Sequence, residues 1–258
     1  MKKIIMASLL FLAACGGGNQ EIQPGQAFIG GNLGIDLTFE PISTLDGGVY
    51  SIFDDDLFSL SLIAKNSGEH TLNPGDLRVK LLGPSQASFN GIPNWELTNE
   101  VEIEKISEFN PTGGEDIIAF TPNGDGEYLP EVIGLTEINW NVEYEYDYQT
   151  KVVVDQVCFN EDFNDDRICQ VREQKPTSVS GSPIQITKVE QDTAGRGIIV
   201  LKIDLENKDV GESTIIGQDF DDRFNQVTFF MEDQERWECK SGGRVNQARL
   251  VENKAQVI

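Results

Sequence analysis

The run Asp162-Phe163-Asn164-Asp165-Asp166-Arg167-Ile168-Cys169-Gln170-Val171-Arg172-Glu173 carries side-chain oxygens at its first, third and fifth places and a carboxylate at its twelfth. That spacing lets a single loop surround a calcium ion with oxygen ligands, which makes Asp162, Asn164, Asp166 and Glu173 the candidate metal ligands. Two features oppose an ion. Arg167 stands where a glycine would allow the sharp turn, and strand-like runs flank the loop in place of helices. The same residues also suit a solvated acidic loop stapled by a disulfide between Cys158 and Cys169. A second oxygen-rich run, Asn123-Gly124-Asp125-Gly126-Glu127, reads as a turn.

Catalysis has few groups to draw on. His70 is the single histidine and follows a turn, where it reads as an exposed loop residue. Without a second histidine or a nucleophile placed in a recognisable turn, triads, zincin sites and histidine-rich zinc centres are excluded or nearly so. The 43 acidic residues bring some carboxylates within reach of one another whatever the fold, so a glycosidase-type pair carries no information. No turnover is expected. Trp140, Tyr144, Tyr146 and Tyr148 share one strand face. Such a row stacks sugar rings when open and forms a sandwich core when covered, and core is the expectation. Trp95 and Trp237 sit near turns as candidate contact residues, with burial again expected.

The elements that position these residues are strands. Alternation of period two, broken by glycine, proline and asparagine, recurs about every ten residues, the spacing of antiparallel sandwiches. Ile35-Asp36-Leu37-Thr38-Phe39 is one example, and Trp140-Asn141-Val142-Glu143-Tyr144-Glu145-Tyr146 is the strongest, with large apolar residues at every even position. The latter must bury one face and wet the other. Residues 93–99 and 219–224 are the only candidate short helices.

A duplication is visible by eye. Ile35-Asp36-Leu37-Thr38-Phe39 is followed by a strand ending Ala64-Lys65-Asn66-Ser67-Gly68-Glu69 and then Leu77-Arg78-Val79-Lys80-Leu81-Leu82. Ile184-Gln185-Ile186-Thr187-Lys188-Val189 is followed by a strand ending Leu205-Glu206-Asn207-Lys208-Asp209-Val210-Gly211-Glu212 and then Gln226-Val227-Thr228-Phe229. The order strand, strand, asparagine turn, strand thus recurs at an offset of about 140 to 150 residues. The expected fold is all-β: two tandem antiparallel β-sandwich domains, 28–173 and 184–258, joined by a polar linker at 174–183 framed by prolines. The chain stops at Ala255-Gln256-Val257-Ile258, which reads as mid-strand, so the second domain is expected to be truncated and odd Cys239 to have its partner beyond it.

Apolar strand, asparagine, small turn and glycine together resemble the immunoglobulin-like modules of prokaryotic surface proteins, especially the cell-adhesion-related group. The resemblance implies adhesion, binding or scaffolding without catalysis. The N-terminus adds a second resemblance. Met1-Lys2-Lys3, the apolar run 4–12 and Ala13-Ala14-Cys15-Gly16 give the three regions of an export signal in order. The run is too short to remain as a spanning helix. Leu12-Ala13-Ala14-Cys15 resembles the lipobox of bacterial-type lipoproteins, and the overall layout is similar to surface lipoproteins of small-genome archaea. That likeness implies cleavage of residues 1–14, acylation of Cys15 and an extracytoplasmic address; a plain cleaved signal containing a cysteine is the alternative. Residues 15–27 form a glycine-rich tether reaching on the order of 20 Å.

Composition fits an exported chain. Removing the signal leaves about 244 residues, enough for one large or two ordinary domains. A formal charge of -23 repels phosphate backbones and anionic headgroups, so nucleic acid is not an expected partner. The expected partners are the membrane, through the lipid, and a protein or polysaccharide at the cell surface. The rival functions are a carbohydrate-binding module and a carboxylate-based glycoside-active enzyme.

Overall fold

The strong period-two segments become paired strands in the computed structural model, which describes residues 27–43, 45–46, 49–160, 167, 169–195, 197–218, 220–221, 223–233 and 235–258. In the first half these are β1 (Ile35–Phe39), β2 (Leu45–Asp46), β3 (Val49–Tyr50), β4 (Ser61–Asn66), β5 (Leu77–Leu82), β6 (Phe89–Asn90), β7 (Glu96–Thr98), β8 (Glu115–Ala119), β9 (Glu127–Tyr128) and β10 (Asn141–Tyr146). A 3-10 turn at Gln86–Ser88 is the one helical element among the described residues. The fold is all-β and antiparallel, as expected.

Two three-stranded sheets, ordered β1-β4-β8 and β10-β5-β7, face each other. β5 shows why: Leu77, Val79 and Leu81 are buried while Arg78, Lys80 and Leu82 are exposed, the alternation a half-buried strand requires. Leu62, Ala64 and Ile118 from the opposite sheet complete one core with them. On the outer face Lys80 pairs with Glu143 at 3.4 Å and Arg78 with Glu145, exposed bridges that set register and add little stability. At one end the core is aromatic, with the Phe89 ring 5.0 Å from Trp140, 5.1 Å from Tyr128 and 6.2 Å from both Phe58 and Trp95.

The second half contains β11 (Val152–Val154), β12 (Glu173–Gln174), β13 (Thr177–Val179), β14 (Ile184–Gly195), β15 (Ile198–Asn207), β16 (Gln226–Thr228), β17 (Lys240–Ser241), β18 (Arg244–Val245), β19 (Gln247–Arg249) and β20 (Lys254–Val257). Its sheet β12-β14-β15-β20 contains the order β14-β15-β20, which repeats β1-β4-β8, and the β16–β19 ladder repeats β5–β7. On the free edge of β5 lies β10; among the described residues no strand takes that place on β16. The core here is smaller, centred on Leu205, Cys239, Ala248 and Val257.

Three local expectations are corrected. Residues 93–99 are not helical: Glu96–Thr98 is β7, because Trp95 and Leu97 pack on the core while Glu96 and Thr98 face solvent, a period of two. The described residues of 219–224 are not helical either. Asp221 draws the Arg223 amide and guanidinium onto its carboxylate and closes a turn in which the Phe224 amide donates to the Asp221 carbonyl. The segment 174–183, expected as a strand-free linker, holds β13 paired with β11, and it buries Lys175, Ser180 and Ser182. Its prolines do not break pairing because they stand outside the strands, where the Pro176 carbonyl still accepts the Asp155 amide.

Candidate functional site

A densely bonded polar group lies where the two halves meet. β4 ends at Asn66, whose buried amide accepts the Gly68 N–H at 3.0 Å and donates to the carbonyls of His70 and Ile103 at 2.7 and 3.2 Å. This shapes the turn that delivers Glu69. The Glu69 carboxylate accepts three backbone N–H groups: Ile29 at 3.0 Å, Gly30 at 2.9 Å and Gly181 at 2.6 Å. A carboxylate taking three amide donors is among the stronger polar arrangements a protein makes. It ties the entering N-terminal segment, the base of the first sandwich and the chain leading to β14 at one point.

Aromatic and glycine residues close the same joint. The Tyr148 hydroxyl donates to the Gly181 carbonyl at 2.7 Å, and its ring lies 5.3 Å from the His70 ring, edge to face. Packing at the joint is so close that glycine is required. A β-carbon on Gly68 would sit 1.9 Å from the Tyr148 hydroxyl oxygen, and one on Gly34 would sit 2.3 Å from that of Tyr146 and 2.9 Å from the Pro183 ring. Gln185, in β14, donates to the Gly31 carbonyl at 2.8 Å.

The asparagine at the end of the second strand recurs with the same bonding. Asn207 accepts the Asp209 N–H at 3.0 Å and donates to the Gly211 carbonyl at 2.7 Å, the positions two and four residues on that Asn66 also uses. The neighbouring bonds match too: the Ser67 amide donates to Gly34 and the Lys208 amide to Pro183.

Cys158 and Cys169 form the disulfide expected, with α-carbons 5.8 Å apart. It does not close a hairpin of the flanking runs, since β11 pairs with β13 instead. The loop is held to the second half: Gln191 of β14 accepts the buried Cys158 amide at 2.8 Å and donates to the Cys158 carbonyl at 2.6 Å. Cys239 is a buried free thiol, its pKa raised by burial.

Of the candidate calcium ligands, Asp162, Asn164 and Asp166 fall outside the described residues, as does the lipidation candidate Cys15. Glu173 lies in β12, and the fully buried Lys175 ammonium sits 2.5 Å from its carboxylate while also donating to the Gln170 carbonyl at 2.9 Å. One oxygen of the proposed twelfth ligand is thereby engaged by a cation. Among the described residues no three histidine, cysteine or acidic groups converge as a metal centre.

The aromatic row faces inward for most of its length. Trp140, Val142 and Tyr146 pack on the core, and Tyr148 is covered by His70 and Gly181. Tyr144 is the exception, 39% exposed and stacked on Tyr146 at 6.1 Å. Burial raises the hydroxyl pKa of Tyr144, Tyr146 and Tyr148. Trp95 packs 5.7 Å from Trp140, and half-buried Trp237 meets Phe159 of the disulfide loop at 6.5 Å. His70 is half-buried against Tyr148 instead of free in a loop, and burial lowers its pKa from 6.5 despite the nearby carboxylate of Asp76.

The sequence drew attention to the asparagine turn but not to the role of Glu69, nor to Gly181, Gln191 or Lys175. Among the described residues no helix is long and apolar enough to cross a membrane. No family model matches the chain, and neither the curated proteins nor the solved structures contain a match.

Proposed function

We propose that this chain is a surface lipoprotein, acylated at Cys15 and held outside the cytoplasm, in which two copies of one immunoglobulin-like module act by binding and not by turnover. One observation carries the reading. The N-terminal segment enters at Ile29 and Gly30, and Glu69 fastens it to the base of the first sandwich and to Gly181. A tether attached there transmits its pull into the joint between the halves. It leaves the loops at the opposite end of β4 and β10 facing away from the point of attachment. The matching turns at Asn66 and Asn207 support the duplication.

The test is metabolic labelling of the full chain with an alkynyl fatty acid in a bacterium that processes lipoproteins. The parent is expected to carry label and to fractionate with membranes, and Cys15→Ser to lose both. A parent chain recovered unlabelled with Met1 intact sinks the proposal.

A further inference from the structure

The end of the first sandwich remote from Glu69 is built from loops 51–58, 86–93 and 121–135. They lie side by side: the Phe58 amide donates to the Gly126 carbonyl at 2.8 Å, the Leu129 amide to Ser88 at 2.9 Å, and the Val132 amide to the Asp54 carboxylate at 3.2 Å. Six large apolar side chains of these loops are exposed, and four project furthest, Phe53 at 76%, Leu57 at 62%, Ile133 at 94% and Leu135 at 93% exposure. Singly such residues are ordinary, but four on two touching loops form a patch of the kind that marks an interaction surface. The aromatic cluster around Phe89 lies beneath and supports these loops.

Charge around the patch has one sign. Segments 39–64, 81–104 and 106–150 contain no lysine, arginine or histidine. Asp54, Asp55, Asp56, Asp125, Glu131 and Glu137 lie among or beside the apolar residues and are all exposed. An apolar centre inside an acidic rim is complementary to an apolar pocket inside a basic rim, and the rim steers approach while the centre supplies most of the affinity. An anionic bilayer is repelled by the same rim. A second copy of this chain, at -23, is repelled as well.

We propose that loops 51–58 and 129–135 form a docking surface for a protein that presents an apolar pocket edged by lysine and arginine. The inference builds on the reading of a binding protein but not on the lipid, so Cys15→Ser leaves it intact.

The test uses the full chain in lipid nanodiscs, with empty nanodiscs as baseline, and two synthetic peptides of equal length and charge, one of lysine and leucine and one of lysine and serine. The lysine–leucine peptide is expected to bind more tightly and to photo-crosslink to loops 51–58 and 129–135. Ile133→Ser combined with Leu135→Ser should weaken it at least about tenfold and leave the lysine–serine peptide unchanged. Phe53→Ser with Leu57→Ser should repeat the effect. All four residues are exposed, so folding is not at stake. Equal binding of both peptides, or crosslinks confined to the second half, overturns the proposal. Self-association, or binding to zwitterionic vesicles, that Ile133→Ser with Leu135→Ser abolishes overturns it too, by assigning the patch to a second copy or to lipid.

Discussion

Glu69 grips Gly181 from two sides across 112 residues of chain: its carboxylate accepts the Gly181 amide at 2.6 Å, and its own amide donates to the Gly181 carbonyl at 2.8 Å. The carboxylate has no spare oxygen, since one takes Ile29 and the other both Gly30 and Gly181. Glu69→Gln replaces one acceptor with an NH2 group aimed at a backbone donor. Stability should fall by about 1–3 kcal/mol, the range for losing bonds to a charged acceptor. Urea denaturation measures the loss, and hydrogen exchange should show faster exchange at the Ile29 amide, which faces the NH2 group when the remaining oxygen keeps Gly30 and Gly181. Unchanged protection at Ile29, Gly30 and Gly181 would remove Glu69 from the joint.

The paired asparagines allow a matched comparison. Asn66 is fully buried and makes three bonds, whereas Asn207 makes two beside an exposed turn. Asn66→Ala loses three bonds at a fully buried site, one of them to an Ile103 carbonyl that keeps only the Leu72 amide, so it should cost about 2–4 kcal/mol against about 1–2 for Asn207→Ala. Thermal unfolding of the two variants side by side decides it, and equal losses would mean that the turns share shape but not weight.

His70 gives the chain a pH response with a defined sign. Burial lowers its pKa in the folded chain below the ordinary 6.5, so the unfolded chain takes up the proton first. Stability is therefore intact above 6.5 and declines as pH falls through the lowered folded value. Asp76 and Asp147 favour the charged ring, while Lys105 and Lys151 oppose it along with burial. His70→Phe keeps a ring against Tyr148 and should flatten the decline just below 6.5, measured as the urea midpoint against pH. An unchanged slope would assign it to other groups.

Which parts of this arrangement the sequence reveals follows from the physics of each signal. β5 and β10 are legible because a half-buried strand alternates polarity, and Asn66 and Asn207 because a side chain that shapes its own turn needs only nearby partners. Glu69 is opaque for the opposite reason. Its partners are backbone amides up to 112 residues away, and a backbone amide has no residue identity to read. Pro93-Asn94 ahead of Trp95 resembles a helix start, yet the cores of two facing sheets need Trp95 and Leu97 on one side. Thr177 and Ser178 look like linker and are equally at home in β13. Phe53, Leu57, Ile133 and Leu135 are apolar, so nothing in their type separates them from the core; only the loops that carry them outward do.

The disulfide loop belongs energetically to the second half, and two perturbations should show it. Cys158 is 1% exposed, and its amide and carbonyl are both satisfied by the Gln191 side chain. Gln191→Leu leaves both buried groups without partners and should cost about 1–3 kcal/mol even with the disulfide intact. Reducing the Cys158–Cys169 bond releases a short loop and should cost about 2–4 kcal/mol. The two losses should add to less than their sum, because both act by freeing the same peptide unit. Hydrogen exchange should show the loss at β12, β14 and β15, with β4 and β5 unaffected. Cys239, buried and unpaired, should react with iodoacetamide sooner in either case, since β20 and β19 cover it only while β14 and β15 hold their sheet. Faster exchange at β4 and β5 with unchanged Cys239 labelling would instead assign the disulfide loop to the first sandwich.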